Sequence, residues 1–135
     1  MNRRIKRALI SVYDKKNLLD ILKILRKFKI EIISSGGTFN EIKKLGFKSK
    51  EISKLTNFPE ILGGRVKSLH PNIYGGILNK RNNKTHKKNL KENNISEIDL
   101  VIVNFYPFEN ILKKTRNHKK ILENIDVGGP TMVRS

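Results

Sequence analysis

Between Arg7 and Gly46 the sequence alternates twice between a short apolar run and a helical pattern. No other feature limits the possible folds as strongly. Arg7 to Val12 (RALISV) is mostly apolar with a β-branched centre, which predicts a buried strand. Asp14 offers an N-cap, and Leu18, Ile21, Leu22, Leu25 and Phe28 follow at the spacing of an amphipathic helix. A second apolar run covers Ile30 to Ser34, and Phe39, Ile42 and Leu45 predict a second helix closed by Gly46. Strand, helix, strand, helix with short connections predicts a parallel sheet joined by right-handed crossovers. The expected class is therefore α/β, in one domain.

The remainder is less regular. Lys48 to Ile52 fits a short third strand, and Thr56 to Gly76, with Pro59, Gly63, Gly64, Pro71, Gly75 and Gly76, reads as structured loop with short turns. Asn79 to Asn94 is polar and lysine-rich, with Leu90 nearly its only apolar residue. It reads as a solvated surface helix or loop, with an interaction tail as the alternative. Asp99 to Phe105 (DLVIVNF) is the best strand, apolar enough to be central in a parallel sheet. Phe108, Ile111 and Leu112 predict one short helix, and Ile121, Leu122 and Ile125 another.

Composition excludes several classes. There is no cysteine, hence no disulfide or thiolate metal site, and His70, His86 and His118 lack the spacing of a helical metal pair. The first apolar run is too short for a signal peptide or a membrane span, so the expected location is cytoplasmic with no membrane partner. The formal charge of +17 raises nucleic-acid binding. Lysine (21) far outnumbers arginine (8), however, and the basic stretches lack stacking aromatics. Compositional drift with an anionic small-molecule ligand is the preferred reading, with no nucleic-acid partner.

Polar groups cluster where an α/β sheet places its ligands, beyond the carboxyl ends of strands. Ser11 and Lys15 follow the first strand, Ser35, Gly36, Gly37 and Thr38 the second, and Asn104 and Tyr106 the long apolar one. If those strands are parallel, the three groups share one rim. Glycines let backbone N–H groups converge at a helix start, where the dipole favours an anion, and Lys15 could neutralise a phosphate there. An ordinary strand-to-helix turn is the alternative. Within Gly63–Pro71, an extended backbone would project Arg65 and Lys67 to one face with Val66 opposite, suited to a phosphate or a developing oxyanion. Asp126-Val127-Gly128-Gly129-Pro130-Thr131 resembles a second anion nest. Asp126, Lys67 and Tyr106 would together offer a carboxylate, an ammonium and a phenol for proton transfer.

Taken in order, these segments resemble the inosine monophosphate (IMP) cyclohydrolase domain of the bifunctional purine biosynthesis proteins. The matching pieces are Arg7–Val12 with Asp14-Lys15, Ser35–Thr38, Phe58-Pro-Glu60, Gly64–Pro71, Gly75–Leu78, Asn104–Phe108 and Asn124–Arg134. The resemblance implies a methylglyoxal-synthase-like, Rossmann-like three-layer fold with a parallel central sheet flanked by helices. It also implies closure of the second purine ring, 5-formamidoimidazole-4-carboxamide ribonucleotide giving IMP and water. Carried over residue by residue, Ser11, the Tyr13-Asp14-Lys15 turn, Ser35 to Thr38 and Arg65, Val66, Lys67 and Ser68 would hold the nucleotide. Val103-Asn104 and Asp126-Val127 would frame the base. Lys67 would stabilise the oxyanion, Tyr106 would assist proton transfer, and Asp126 would orient or deprotonate the attacking amide. A homodimer is implied as well, and no metal or organic cofactor is implied.

Tyr13 and Phe105 replace smaller residues common in the family, and Ser68 stands where threonine is usual. In the family, Arg134-Ser135 runs on into a helix carrying Ala-Ala-Lys-Asn-His, whose lysine exchanges protons. The expectation is thus a domain over residues 1–135 incomplete at its C-terminus, without the formyltransferase domain. Three other readings stay open: a non-catalytic purine-nucleotide remnant or regulatory module of the same fold, methylglyoxal synthase, and an RNA-binding domain resting on charge.

Overall fold

The computed structural model describes residues 4–135. Four parallel strands form one sheet: β1 (Arg7–Val12), β2 (Glu31–Ser34), β3 (Lys50–Glu51) and β4 (Leu100–Asn104), in the order β3-β2-β1-β4. The helices are α1 (Leu18–Lys27), α2 (Gly36–Lys44), α3 (Ile52–Thr56), α4 (Pro71–Leu78), α5 (Lys84–Glu92), α6 (Phe108–Lys114), α7 (His118–Glu123) and α8 (Gly128–Arg134).

Strand alternation divides the core between the two sheet faces. Ala8, Ile10 and Val12 join Ile32, Leu18, Leu22 and Leu25 of α1 and Ile42 of α2. Leu9 and Ile33 face the opposite side with Ile52, Ile73, Ile98 and Met132. The α/β three-layer expectation is met.

Register places the strand ends together. Ile10 pairs with Ser34 and Val12 with Asn104, so β1, β2 and β4 end at one rim. The chain leaves β1 toward β2 on one side and returns as β4 on the other. That reversal between β1 and β4 is the place where open parallel sheets hold ligands.

Several local expectations are corrected. The N-cap of α1 is Asn17, in the left-handed region at φ 63°, rather than Asp14. Asp14 Oδ1 accepts from the Lys16 N–H (2.8 Å), closing a tight turn ahead of the helix. The Thr56–Gly76 stretch is not all loop, since α4 begins at Pro71 and runs through both late glycines. His70 starts it: Nδ1 accepts from the Asn72 N–H (3.1 Å), and Pro71 has no N–H to satisfy. Gly76 persists inside this helix because an added Cβ would lie 2.6 Å from the Ser96 carbonyl oxygen. Among the described residues β4 pairs only with β1, so it is an edge strand rather than a central one. Its apolar run reflects two covered faces instead of two paired edges: Leu100 and Ile102 pack on one cluster, Val101 and Val103 on the other.

Candidate active site

At the β1/β4 reversal lies an open cleft of about 730 Å³, lined from five separate segments of chain. Ser11, Tyr13 and Lys15 come from β1 and its turn, and Ser35, Gly37 and Thr38 from the start of α2. Arg65, Lys67 and Ser68 supply one wall, Asn104 and Tyr106 a second, Asp126 and Val127 a third. Asp14, Gly36, Val66 and Val103 lie off this lining. Val103 packs into the Leu9–Ile33 core cluster, so its side chain belongs to the interior.

Gly36 enters α2 at φ 52°, and Ser35, in extended backbone, precedes it as N-cap. The first N–H groups of α2 have no partner within the helix, which suits them to an anion. Thr38 is otherwise engaged. Its Oγ1 donates to the Val12 carbonyl (3.0 Å) and accepts from the Val12 N–H (3.1 Å), pinning α2 to the end of β1. Thr38 thus contributes position, and its hydroxyl proton is already used. Lys15 Nζ donates to the carbonyls of Val12 (2.9 Å) and Tyr13 (2.8 Å), keeping its ammonium at the rim beside Gly37.

Asn104 closes the same corner. Its Oδ1 accepts from the N–H groups of Tyr13 (2.6 Å) and Asp14 (3.0 Å), and its Nδ2 donates to the Asp14 carbonyl (2.8 Å). The end of β4 is thereby stapled to the β1 turn. Tyr106 stacks beside Tyr13 with ring centroids 5.0 Å apart, so the phenol stands on the cleft rim with an aromatic support.

Arg65 and Lys67 reach the cleft by a route the sequence did not suggest. The segment is turn rather than strand: Leu62, Gly63 and Gly64 all have positive φ (51°, 62° and 84°), and Arg65 is helical at φ −62°. The Lys67 ammonium occupies space that only glycines leave. It lies 2.7 Å from where a Cβ of Gly36 would sit and 3.3 Å from that of Gly64, with a Glu60 carboxylate oxygen 2.6 Å from the latter position. Arg65 donates from Nη1 to the Leu62 carbonyl (2.8 Å) and pairs through Nη2 with Glu123 Oε2 (2.5 Å). Asp126 Oδ1 accepts from the Gly129 N–H (2.9 Å), so part of the expected second nest is filled by its own carboxylate. Glu60, Glu123 and Tyr74 were not among the sequence candidates. Glu60 belongs to the Phe58-Pro-Glu60 segment, whereas nothing in the spacing of Glu123 or Tyr74 singles them out.

Ser68, buried at the cleft floor, is close against α8: its Oγ lies 2.8 Å from a Cβ position on Gly128. Beneath it the Tyr74 hydroxyl is buried with no hydrogen-bond partner among the described residues. Burial pushes the Tyr74 phenol above the usual tyrosine range, while the nearby Ser68 and Thr131 hydroxyls act the other way. Thr131 Oγ1 is already donating to the Val127 carbonyl (2.7 Å), and neither hydroxyl reaches bonding geometry with Tyr74. Burial therefore dominates. Among the described residues no three His, Asp or Glu side chains converge in a way that could hold a metal ion, and no helix is long and apolar enough to cross a membrane.

Residues 17–131 match the MGS-like domain family. The chain is 55% identical over 130 residues to the bifunctional purine biosynthesis protein PurH of Fusobacterium nucleatum, and 52% over 130 residues to that of Clostridioides difficile. Each match covers 96% of this chain and 26% of the relative. The Bradyrhizobium diazoefficiens PurH is 47% identical over 133 residues, 98% of this chain and 25% of that protein. The chain thus spans about a quarter of the length of these curated relatives. The crystal structure of ForH superposes with a TM-score of 0.80 at 30% identity, covering 96% of this chain and 66% of that one.

Proposed function

The chain belongs to the MGS-like domain family, and on that premise we propose that it acts in purine biosynthesis as an IMP cyclohydrolase domain. The observation that carries this reading is the cleft at the β1/β4 reversal. It gathers a glycine-rich helix start, three cations, a phenol and a carboxylate from segments far apart in sequence. Identities of 47–55% to PurH proteins over nearly the whole chain support a role in purine biosynthesis.

In this reading the nucleotide phosphate sits on the Gly36–Gly37 turn beside Lys15, and the imidazole reaches toward Asp126 and Tyr106. Ring closure forms a bond from the carboxamide nitrogen to the formyl carbon and ends with loss of that carbon's oxygen as water. Asp126 orients the amide or takes its proton. Lys67 stabilises the oxyanion as it develops, and Tyr106 assists proton transfer to the departing oxygen. Both reacting groups belong to one molecule, so positioning and fixed charge do most of the work.

The test is to incubate the purified chain with 5-formamidoimidazole-4-carboxamide ribonucleotide and follow IMP formation, alongside calorimetry with IMP. Turnover that falls about 10²–10³-fold in Lys67→Ala is the expected result, the usual effect of removing an oxyanion donor. Binding without turnover would favour a nucleotide-binding module of the same fold. No binding of either nucleotide would overturn both, and salt-sensitive RNA affinity would then point to the charge-driven alternative.

A further inference from the structure

Arg65 has little to hold it where it stands. Its backbone follows three consecutive residues of positive φ, and its side chain is more than half exposed. A long side chain in that setting samples many rotamers, and an anion that recruits it must first order it. Two contacts restrain the guanidinium: the Leu62 carbonyl on Nη1 and the Glu123 carboxylate on Nη2. The first belongs to the same turn and cannot fix the side chain relative to the rest of the cleft. The second comes from the last residue of α7, three positions before Asp126.

We propose that Glu123 is a positioning residue that holds Arg65 ready for the nucleotide anion and sets the Arg65–Lys67 wall in register with the Asp126 wall. The assignment rests on the nucleotide-site reading above. A guanidinium has five N–H donors in a planar fork, so engaging two of its edges leaves donors for a ligand while fixing the plane in which they lie. An exposed arginine–carboxylate pair contributes little to overall stability. Its effect should therefore appear in binding more than in folding. The Arg65–Glu123 pair links the two walls away from the floor, where the Ser68 hydroxyl already lies against Gly128.

The experiment is a double-mutant cycle on the full chain, with IMP as the probe and calorimetry as the readout. Glu123→Ala is expected to weaken IMP binding about fivefold in the native background and to have no further effect when Arg65→Ala is present, the coupling expected of contacting residues. Glu123→Asp, which keeps the charge on a shorter arm, should recover part of the loss. Equal losses in both backgrounds, unchanged affinity, or tighter binding on removing Glu123 would each overturn the proposal. Tighter binding would mean that the carboxylate competes with the ligand instead of preparing its partner. A second readout needs no nucleotide: the Arg65 Nε–Hε signal of the ligand-free chain should shift or broaden in Glu123→Ala, with that of Arg26 unchanged. If the native chain binds no IMP, the functional reading fails, and an unperturbed Arg65 signal would separately refute the positioning role.

Discussion

Tyr74 brings burial and ionisation together at a single atom. Its hydroxyl is enclosed beneath Ser68 and α8, and burial lifts its ionisation above the usual range. The folded chain therefore keeps the phenolic proton to higher pH than the unfolded chain does. The stability tied to this proton is fully present below about pH 10, the ordinary tyrosine value, and is lost as pH rises through the higher folded-state value. In Tyr74→Phe, that part of the alkaline loss should vanish. Urea unfolding of both proteins at pH 8 and near pH 11 checks it, and equal losses in the two would refute it. At this scale the sequence showed where residues gather but not what already occupies them. The Ser35–Thr38 stretch was legible as a strand-to-helix turn because two glycines follow an apolar run and precede a helical pattern. That the Thr38 proton goes to Val12, and that Asp126 fills its own nest, depends on contacts which spacing does not encode.

Helix α4 shows why element boundaries were harder to read. Two glycines and a proline within six residues look like loop, yet Pro71 sits at a helix start and Gly76 is where the helix meets the Ser96 carbonyl. The neighbouring glycines should respond differently to the same change. The atoms nearest a Cβ on Gly75 are apolar side chain, Ile95 Cδ1 at 3.2 Å, its Cγ2 at 3.4 Å and Leu90 Cδ2 at 3.9 Å, whereas on Gly76 it meets the Ser96 backbone at 2.6 Å. Gly75→Ala should thus be nearly neutral, its gain in helix propensity of up to about 1 kcal/mol offset by crowding. Gly76→Ala should destabilise by about 1–2 kcal/mol through overpacking. Urea midpoints compare the two directly, and a Gly76→Ala protein as stable as its parent would show that the Ser96 loop yields. The β1–α1–β2–α2 half was legible because its periodicities are local. The place of β4 at an edge was not, because an apolar run reports covered faces and is silent on hydrogen-bonded neighbours.

For the molecule as a whole, charge is the least balanced term. With 29 lysines and arginines against 12 acidic residues, self-repulsion opposes the compact state. The ion pairs at Lys23–Asp20, Arg65–Glu123 and Lys88–Glu92 are too exposed to offset it. Added salt screens repulsion at long range more than it weakens close pairs. Raising sodium chloride from about 10 to about 300 mM, which shortens the Debye length from about 30 to about 6 Å, should therefore lift the melting temperature by a few degrees, the shift that about 1 kcal/mol gives a domain of this size. Calorimetry in a non-phosphate buffer measures it, and a fall would show that ion pairs outweigh repulsion.

The pairing of β1 on both sides also sets an order in time. Its register with β2 joins Arg7 to Glu31, whereas its register with β4 joins Ala8 to Leu100. Local pairings close early and distant ones late. On the ribosome, a growing chain holds Lys15 and the Gly36–Gly37 turn roughly 5–20 s before Asp126 exists, at typical synthesis rates. Asn104, which staples the late strand to the early turn, is the latch that ends that interval. On the proposed reading, a nascent chain would hold its phosphate-facing groups well before the groups assigned to the chemistry.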